Sequence, residues 1–262
     1  MGILRDISDV KLVAFDLDDT LAPSKARVSV AMAEALHELM AIRQVLIISG
    51  AVFQQFENQV LTYLPPTERL ENLHLMPTCG TRYFRWHSAG WIEEYAHDLP
   101  SQTKFRIVEA IEQESRRLGL WEVDGDVWGE RIEDRGSQIT YSALGQRAPL
   151  EAKRAWDASG AKKELLRAAL EPLLPDLEVR GGGSTSIDIT EKGIDKAYGV
   201  RRLGAQLSLE PDEIEFVGDR LSPGGNDFPV VALGVRTHAV SDCDETLAYI
   251  IEFLNRDRRN SN

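Results

Sequence analysis

The segment Leu12-Val13-Ala14-Phe15-Asp16-Leu17-Asp18-Asp19-Thr20-Leu21 constrains the fold more than any other part of the chain. Four apolar residues run into three carboxylates within four positions. An uninterrupted apolar run closed by polar residues reads as a strand buried on both faces. In open α/β sheets, ligands bind beyond the carboxyl ends of such strands, where these acids stand. Three carboxylates crowded together repel one another, and a bound cation is the simplest remedy. Hard oxygen ligands beside a phosphate substrate point to Mg²⁺. Along an extended strand residues i and i+2 share a face, so Asp16 and Asp18 are expected to point into one site and Asp19 elsewhere. One carboxylate of such a pair can attack a phosphoryl group while the other handles the proton of the entering or leaving oxygen. The plainer alternative is an acidic loop that only caps a strand or helix.

The following segments repeat the strand–helix pattern. Ser29 is an expected N-cap, and Met32, Leu36, Leu39 and Met40 predict an amphipathic helix over about 30–42. Val45-Leu46-Ile47-Ile48 is a second buried strand ending in Ser49-Gly50, and a helix then runs to about Leu64, before Pro65-Pro66. Leu73 to Met76 is a third short strand, followed by a turn at Cys79-Gly80-Thr81. From about Arg82 the texture changes to antiparallel. A hairpin is expected over Tyr83–Tyr95 with its turn at Ser88-Ala89-Gly90, then a helix over 103–118. Strands are expected at 131–135 and 138–142, a helix at 161–174, and strands at 177–180 and 186–189 around a Gly181-Gly182-Gly183 turn. The parallel pattern returns with a helix over 193–207 and a strand Ile214–Val217 ending in Gly218-Asp219. Val230-Val231-Ala232-Leu233 continues the core, and a helix over 244–254 closes it. The expected class is α/β: a Rossmann-like parallel core, residues 1–82 and 188–262, with an inserted α+β domain at 83–187.

Composition narrows the partners. A net charge of −12 argues against nucleic acid, whose phosphates need a basic surface. An acidic protein that handles phosphates must concentrate positive charge or a metal locally. Cys79 and Cys243 are too few and too far apart for a disulfide framework or a zinc site. No run of 18 apolar residues is present, and the first residues do not read as a signal peptide. The expected setting is the cytoplasm, with no membrane partner.

Four separated pieces each end an expected strand or open a helix: Asp16 with Asp18, Ser49, Lys196, and Asp219 with Asn226-Asp227. A parallel sheet brings such ends to one edge. Asp16 is then the candidate nucleophile, forming an aspartyl-phosphate, and Asp18 the general acid and base. Ser49 would hydrogen-bond a phosphoryl oxygen, and Lys196 would neutralise phosphoryl charge. Asp219 and Asp227 would complete a Mg²⁺ site with Asp16 and a backbone carbonyl near Asp18. Taken singly, each has a plain reading: Ser49-Gly50 as a strand-to-helix turn, Lys196 as a solvated lysine, Asp219 and Asp227 as turn caps.

These motifs, with Phe15-Asp16-Leu17-Asp18-Asp19-Thr20-Leu21 at their head, resemble those of the haloacid dehalogenase (HAD) phosphotransferase superfamily, and the insertion resembles its type IIB (C2B) cap. Within it, Gly182-Gly183-Ser184-Thr185-Ser186-Ile187-Asp188, Gly193-Ile194-Asp195-Lys196 and Gly218-Asp219-Arg220-Leu221-Ser222-Pro223-Gly224-Gly225-Asn226-Asp227 look like the eukaryotic-type phosphomannomutases. The resemblance implies a Mg²⁺-dependent enzyme acting on a small sugar phosphate at a site between core and cap, as a monomer or a homodimer through the cap. It implies that Arg135, Ser186 and Asp188 hold the distal phosphate or the sugar hydroxyls. Two departures stand out. Where those mutases have arginine after the first loop this chain has Lys25, with Arg27 two further on. Where they have a Gly-Arg pair it has Gly145-Gln146, with Arg147 next. Arginine grips phosphate with a two-pronged fork that lysine and glutamine lack. A mutase must hold a phosphate at both ends of a bisphosphate, so a weakened distal clamp favours a HAD-IIB phosphatase. The alternatives are a phosphomannomutase interconverting mannose 6-phosphate and mannose 1-phosphate, and a non-catalytic sugar-phosphate sensor. A phosphate-accepting signalling receiver would need about half this length and no cap. Asp19, where many relatives have glycine, has no assigned role. The aromatic hairpin is expected to be cap core or a dimer face, cap core being favoured.

Overall fold

The apolar run at the head of the chain becomes an interior strand. The computed structural model describes residues 7–88, 90–121, 127–182 and 185–260. β1 (Leu12–Phe15) is buried along its whole length. It is followed by α1 (Val30–Leu39), where Ser29 Oγ accepts the Met32 N–H at 3.1 Å as the expected N-cap, and by β2 (Gln44–Ile48). Then come α2 (Phe53–Gln59) and β3 (Leu73–Met76). β1, β2 and β3 pair in parallel, with Phe15 beside Ile47 and Ile47 beside Leu75.

The hairpin belongs to this same sheet. β4 (Arg82–His87) pairs antiparallel with β3, and β5 (Gly90–Ala96) pairs with β4 and ends the sheet. Phe84 stacks on Phe53 of α2 at 4.0 Å, and Trp86 and Trp91 pack against the core. The aromatic hairpin is therefore the edge of the parallel core's sheet rather than cap core. Alternating residues mark a strand but not the sheet it joins. Ala89, at the expected turn, lies outside the described residues. The chain divides into Met1–Ala96 with Asp195–Asn262, and His97–Ile194, so the crossings fall at 96 and 195 instead of 82 and 188.

The inserted unit holds α3 (Ser101–Arg117), β6 (Ile132–Asp134), β7 (Gln138–Ser142), α4 (Leu150–Trp156), α5 (Ala161–Leu170), β8 (Leu177–Gly181) and β9 (Ser186–Glu191). Its antiparallel sheet runs β6-β7-β9-β8. Ile139, Tyr141, Ile187, Ile189 and Val179 share an apolar cluster with Ile107 and Ile111 of α3 and Leu166 and Leu170 of α5. Because side chains alternate along a strand, the opposite face carries Thr140, Ser142, Ser186 and Asp188. Gly183 and Ser184 lie outside the described residues.

On return the chain forms α6 (Lys196–Gln206), β10 (Ile214–Gly218), α7 (Phe228–Val231), β11 (Arg236–Ala239) and α8 (Cys243–Asn260). The core sheet is β11-β10-β1-β2-β3-β4-β5. Val230, which does continue the core, sits on the short helix α7, with Pro229 in its first turn. β11 follows it as Arg-Thr-His-Ala, an edge whose alternate exposure gives no apolar run. α6 lies close to the turn after β3. A Cβ on Gly199 would collide with the Ile48 side chain and lie 3.0 Å from the Cys79 carbonyl, and Gly80 in that turn has φ +88°. Two glycines thus bring the start of α6 to the end of β2. No helix among the described residues is long and apolar enough to cross a membrane.

A polar chain runs through the core beside β3. Asn72 Nδ2 donates to the Met40 carbonyl at 2.9 Å, and Gln44 Nε2 donates to Asn72 Oδ1 at 2.8 Å. Gln44 Oε1 must then accept from His74 Nε2–H at 2.7 Å, and His74 Nδ1 accepts from the Tyr83 hydroxyl at 2.7 Å. The Met40 carbonyl, which only accepts, so sets the His74 tautomer. Burial, helped by the Arg85 charge, pushes His74 down to about 3. Between pH 6.5 and about 3 the unfolded chain therefore binds a proton that the folded chain does not. Stability from this residue is present above pH 6.5 and lost as pH falls. In His74→Phe, urea unfolding should show a slope against pH shallower by about 1.4 kcal/mol per unit between pH 4 and 5.5. An unchanged slope would mean that His74 is protonated in the folded core.

Candidate active site

The ends of the parallel strands gather the acids. Asp16 follows β1, and its N–H bonds the Val217 carbonyl of β10 at 3.1 Å. Ser49 follows β2, Asp219 follows β10, and Asp227 precedes α7. Lys196 opens α6, whose N-cap Asp195 accepts the Tyr198 N–H. Lys196 is 1% exposed, contrary to the solvated reading that its place in a first helical turn allowed. Its ammonium pairs with Asp16 and, at 2.5 Å, with Asp227 Oδ1. The other oxygen of Asp227 accepts the Arg220 N–H at 3.0 Å, and Asp227 is fully buried. Thr20 Oγ1 donates to Asp219 at 3.4 Å. Ser49 Oγ accepts the Ala51 N–H at 3.2 Å, which leaves its own proton to donate.

Burial dominates the charges here. It pushes Asp16 up to about 7, against the pull of Lys196 and with the push of Asp227. It raises Asp219 too, again with Asp227 adding to the shift. For Lys196 burial works downward, but the attraction of Asp16 and Asp227 outweighs it and holds the group as a cation. Oxygens of Asp16, Asp219 and Asp227 lie within 4.8 Å of one another. Fully ionised, the three carboxylates would exceed the one buried ammonium by two negative charges, which is why burial raises Asp16 and Asp219 in the metal-free site. A divalent cation matches that remainder, and an all-oxygen donor set suits Mg²⁺.

Asp18 lies beyond the end of β1. β1 stops at Phe15 and the chain bends at Leu17, so strand alternation no longer governs residue 18. Its carboxylate accepts from Gln55 Nε2 at 2.9 Å, Gln59 Nε2 at 3.2 Å and the Lys25 main-chain N–H at 2.7 Å, and it is not among the three clustered carboxylates. Asp19 has a structural task. It stands at φ 62°, which aspartate tolerates better than most residues, and its Oδ1 accepts the Ser24 N–H at 3.0 Å. Lys25 is also left-handed, at φ 59°.

In the inserted unit one carried-over position, Asp188, ends a polar row. Glu133, Thr140 and Asp188 are neighbours across β6, β7 and β9. Asp188 accepts from Thr140 Oγ1 at 2.7 Å; burial raises its pKa while the Arg135 charge draws it back. Arg135 points both prongs of its fork at Glu133 Oε2, at 2.8 and 2.7 Å. Gln146 Nε2 donates to the Thr140 carbonyl at 3.4 Å, and the Arg147 side chain lies beside Gly129. The Ser186 carbonyl accepts the Gly182 N–H at 2.8 Å. Glu133 and Thr140 were not legible as partners, because neither belongs to a motif.

Comparison with known proteins bears on this arrangement. The family model for eukaryotic phosphomannomutase matches residues 126–256, half of the chain. A phosphomannomutase of Saccharomyces cerevisiae is 26% identical over 93% of this chain and 94% of its own length. Human phosphomannomutase 1 is 24% identical over 84% and 83%. Among solved structures, a C-terminally truncated IMP-nucleotidase of Plasmodium falciparum superposes with TM-score 0.69 at 16% identity, covering 95% of this chain and 72% of that one. A haloacid dehalogenase-like hydrolase of Bacteroides thetaiotaomicron does so with TM-score 0.61 at 17% identity, covering 93% and 99%. At those identities the structures speak for the fold: a HAD-type core with a cap.

Proposed function

The chain belongs to the eukaryotic phosphomannomutase family, a HAD-type group of phosphotransfer enzymes, and from that premise we propose that it hydrolyses a small hexose phosphate through an aspartyl-phosphate on Asp16. The observation that carries the chemistry is the buried array of Asp16, Lys196 and Asp227 with Asp219 beside it. Asp16 attacks phosphorus, the bond to the sugar oxygen breaks, and Asp18 gives that oxygen its proton. Asp18 then takes a proton from water, which attacks the aspartyl-phosphate and releases inorganic phosphate. Lys196 pulls Asp16 toward its ionised form and aims it, and Ser49 donates to a phosphoryl oxygen. Asp16, Asp219 and Asp227 would hold Mg²⁺, which when bound supplies positive charge to the phosphoryl oxygens.

Hydrolysis is favoured over sugar-phosphate isomerisation by the residues at the distal clamp. Lys25 and Gln146 stand where the mutases carry arginine, and the Arg135 fork is occupied by Glu133. Arg135, Gln146, Arg147, Ser186, Asp188 and Lys25 are assigned to the sugar and its distal groups. The second reading, a phosphomannomutase, is supported by the family match itself. Phosphorus NMR with Mg²⁺ and mannose 1-phosphate separates them. Steady growth of inorganic phosphate is expected. Growth of mannose 6-phosphate that needs a trace of glucose 1,6-bisphosphate would replace hydrolysis with the mutase. No change with any of a panel of hexose phosphates would leave only the sensor.

A further inference from the structure

We infer that Gln55 and Gln59 are positioning residues that aim the carboxylate of Asp18, an inference that rests on the phosphotransfer reading above. Four residues apart on α2, they present their amides on one helix face. Gln55 Nε2 reaches Asp18 Oδ2 at 2.9 Å, while Gln59 Nε2 and the Lys25 N–H reach Oδ1 at 3.2 and 2.7 Å. Both oxygens of Asp18 are thereby fixed in direction.

The state of Gln59 shows that its amide is there for more than packing. Its Nε2 faces two atoms that only accept, Asp18 Oδ1 and the Ala26 carbonyl at 2.8 Å. The amino end must point that way, which sends Oε1 to the other side. There Oε1 is buried with no hydrogen-bond partner among the described residues. A methionine of similar length would fill the 2%-exposed position without burying an unmatched carbonyl. The glutamine is accounted for by its two N–H bonds, one to the acid and one to the loop that carries Lys25. Among the described residues the Gln55 amide reaches the acid and makes no loop contact of this kind.

The consequence is specific to leaving-group chemistry. When the P–O bond to a sugar oxygen breaks, that oxygen needs a proton delivered along a fixed direction. When 4-nitrophenolate leaves, it needs none. In the full chain with Mg²⁺, Gln55→Leu should lower kcat for consumption of glucose 1,6-bisphosphate about tenfold and Gln59→Met about thirtyfold, with KM held, the range for losing a hydrogen bond to a charged group. The single-turnover burst of 4-nitrophenol from 4-nitrophenyl phosphate should change less than about twofold, because Asp18 is idle as acid in that step and serves only as base in the hydrolysis that follows. Gln55→Leu, at a half-buried position, carries the test if Gln59→Met does not fold. Equal loss with both donors, or no loss with either, overturns the positioning role alone. A wild type that turns over neither donor, or an Asp16→Asn variant that turns over both, overturns the phosphotransfer reading and this inference with it.

Discussion

Asp16→Asn should lower turnover of any phosphorylated donor by about 10⁴-fold or more, the scale seen when a covalent nucleophile is removed. The asparagine has the shape of the aspartate, but its neutral amide oxygen is a poor nucleophile toward phosphorus. Lys196 retains Asp227 at 2.5 Å, so the ammonium is not left alone in the core. Burial already works against the ionised form of Asp16, which it raises to about 7. The metal-free variant is therefore expected to unfold at a temperature equal to or above that of the wild type. Activity against 4-nitrophenyl phosphate, read beside thermal unfolding, checks both halves. A variant within tenfold of wild-type activity would move the nucleophile to another residue, and a marked fall in melting temperature would make Asp16 a structural carboxylate.

Lys196→Met should do the opposite to stability. It removes the buried cation and leaves Asp16 and Asp227, 4% and 0% exposed, facing each other without it. Breaking one side of a buried ion pair costs about 3–5 kcal/mol, far more than the pair contributes against an apolar replacement of both sides. The deficit should shrink as pH falls, because the stranded carboxylates then take up protons. Turnover should fall by about 10²–10³-fold, the scale for losing one preorganised charge-stabilising donor. Urea unfolding of the metal-free protein at pH 7.5 and 5.5 gives the stability and its slope. An unchanged midpoint would mean that water, not Lys196, balances the two aspartates.

Legibility in the sequence followed burial. β1 and β2 were readable because strands covered on both faces are continuous apolar runs, and β10 because only Glu215 interrupts its run. The same runs placed Asp16, Ser49 and Asp219 at their ends. β11 was missed because it is a half-exposed edge, and Val230-Val231 was legible as core but not as a helix, because its β-branched apolar residues do not declare the backbone. Lys196 read as exposed because a helix's first turn is usually wet, and only the partners that meet it from β1 and α7 keep it dry. Gln55 and Gln59 carried no signal beyond their spacing. Glutamines on a polar helix face are common, and the acceptor that orders these two lies 37 and 41 positions away.

The insertion between β5 and α6 sets an order of assembly as the chain is synthesised. The His97–Ile194 unit is continuous, and all its strands exist once Glu191 has been made. The core is interrupted. β1 has β2 on one side early, but its other neighbour β10 arrives only at residues 214–218, and Lys196 arrives before it by only a short helix. Contacts this distant in sequence close late and slowly. The domain that begins first is therefore completed second. Until then Asp16 sits at the end of an open sheet edge, and its buried partner Lys196 is made only 180 residues after it. The carboxylate motif that defines the fold is the last part of the molecule to become stable.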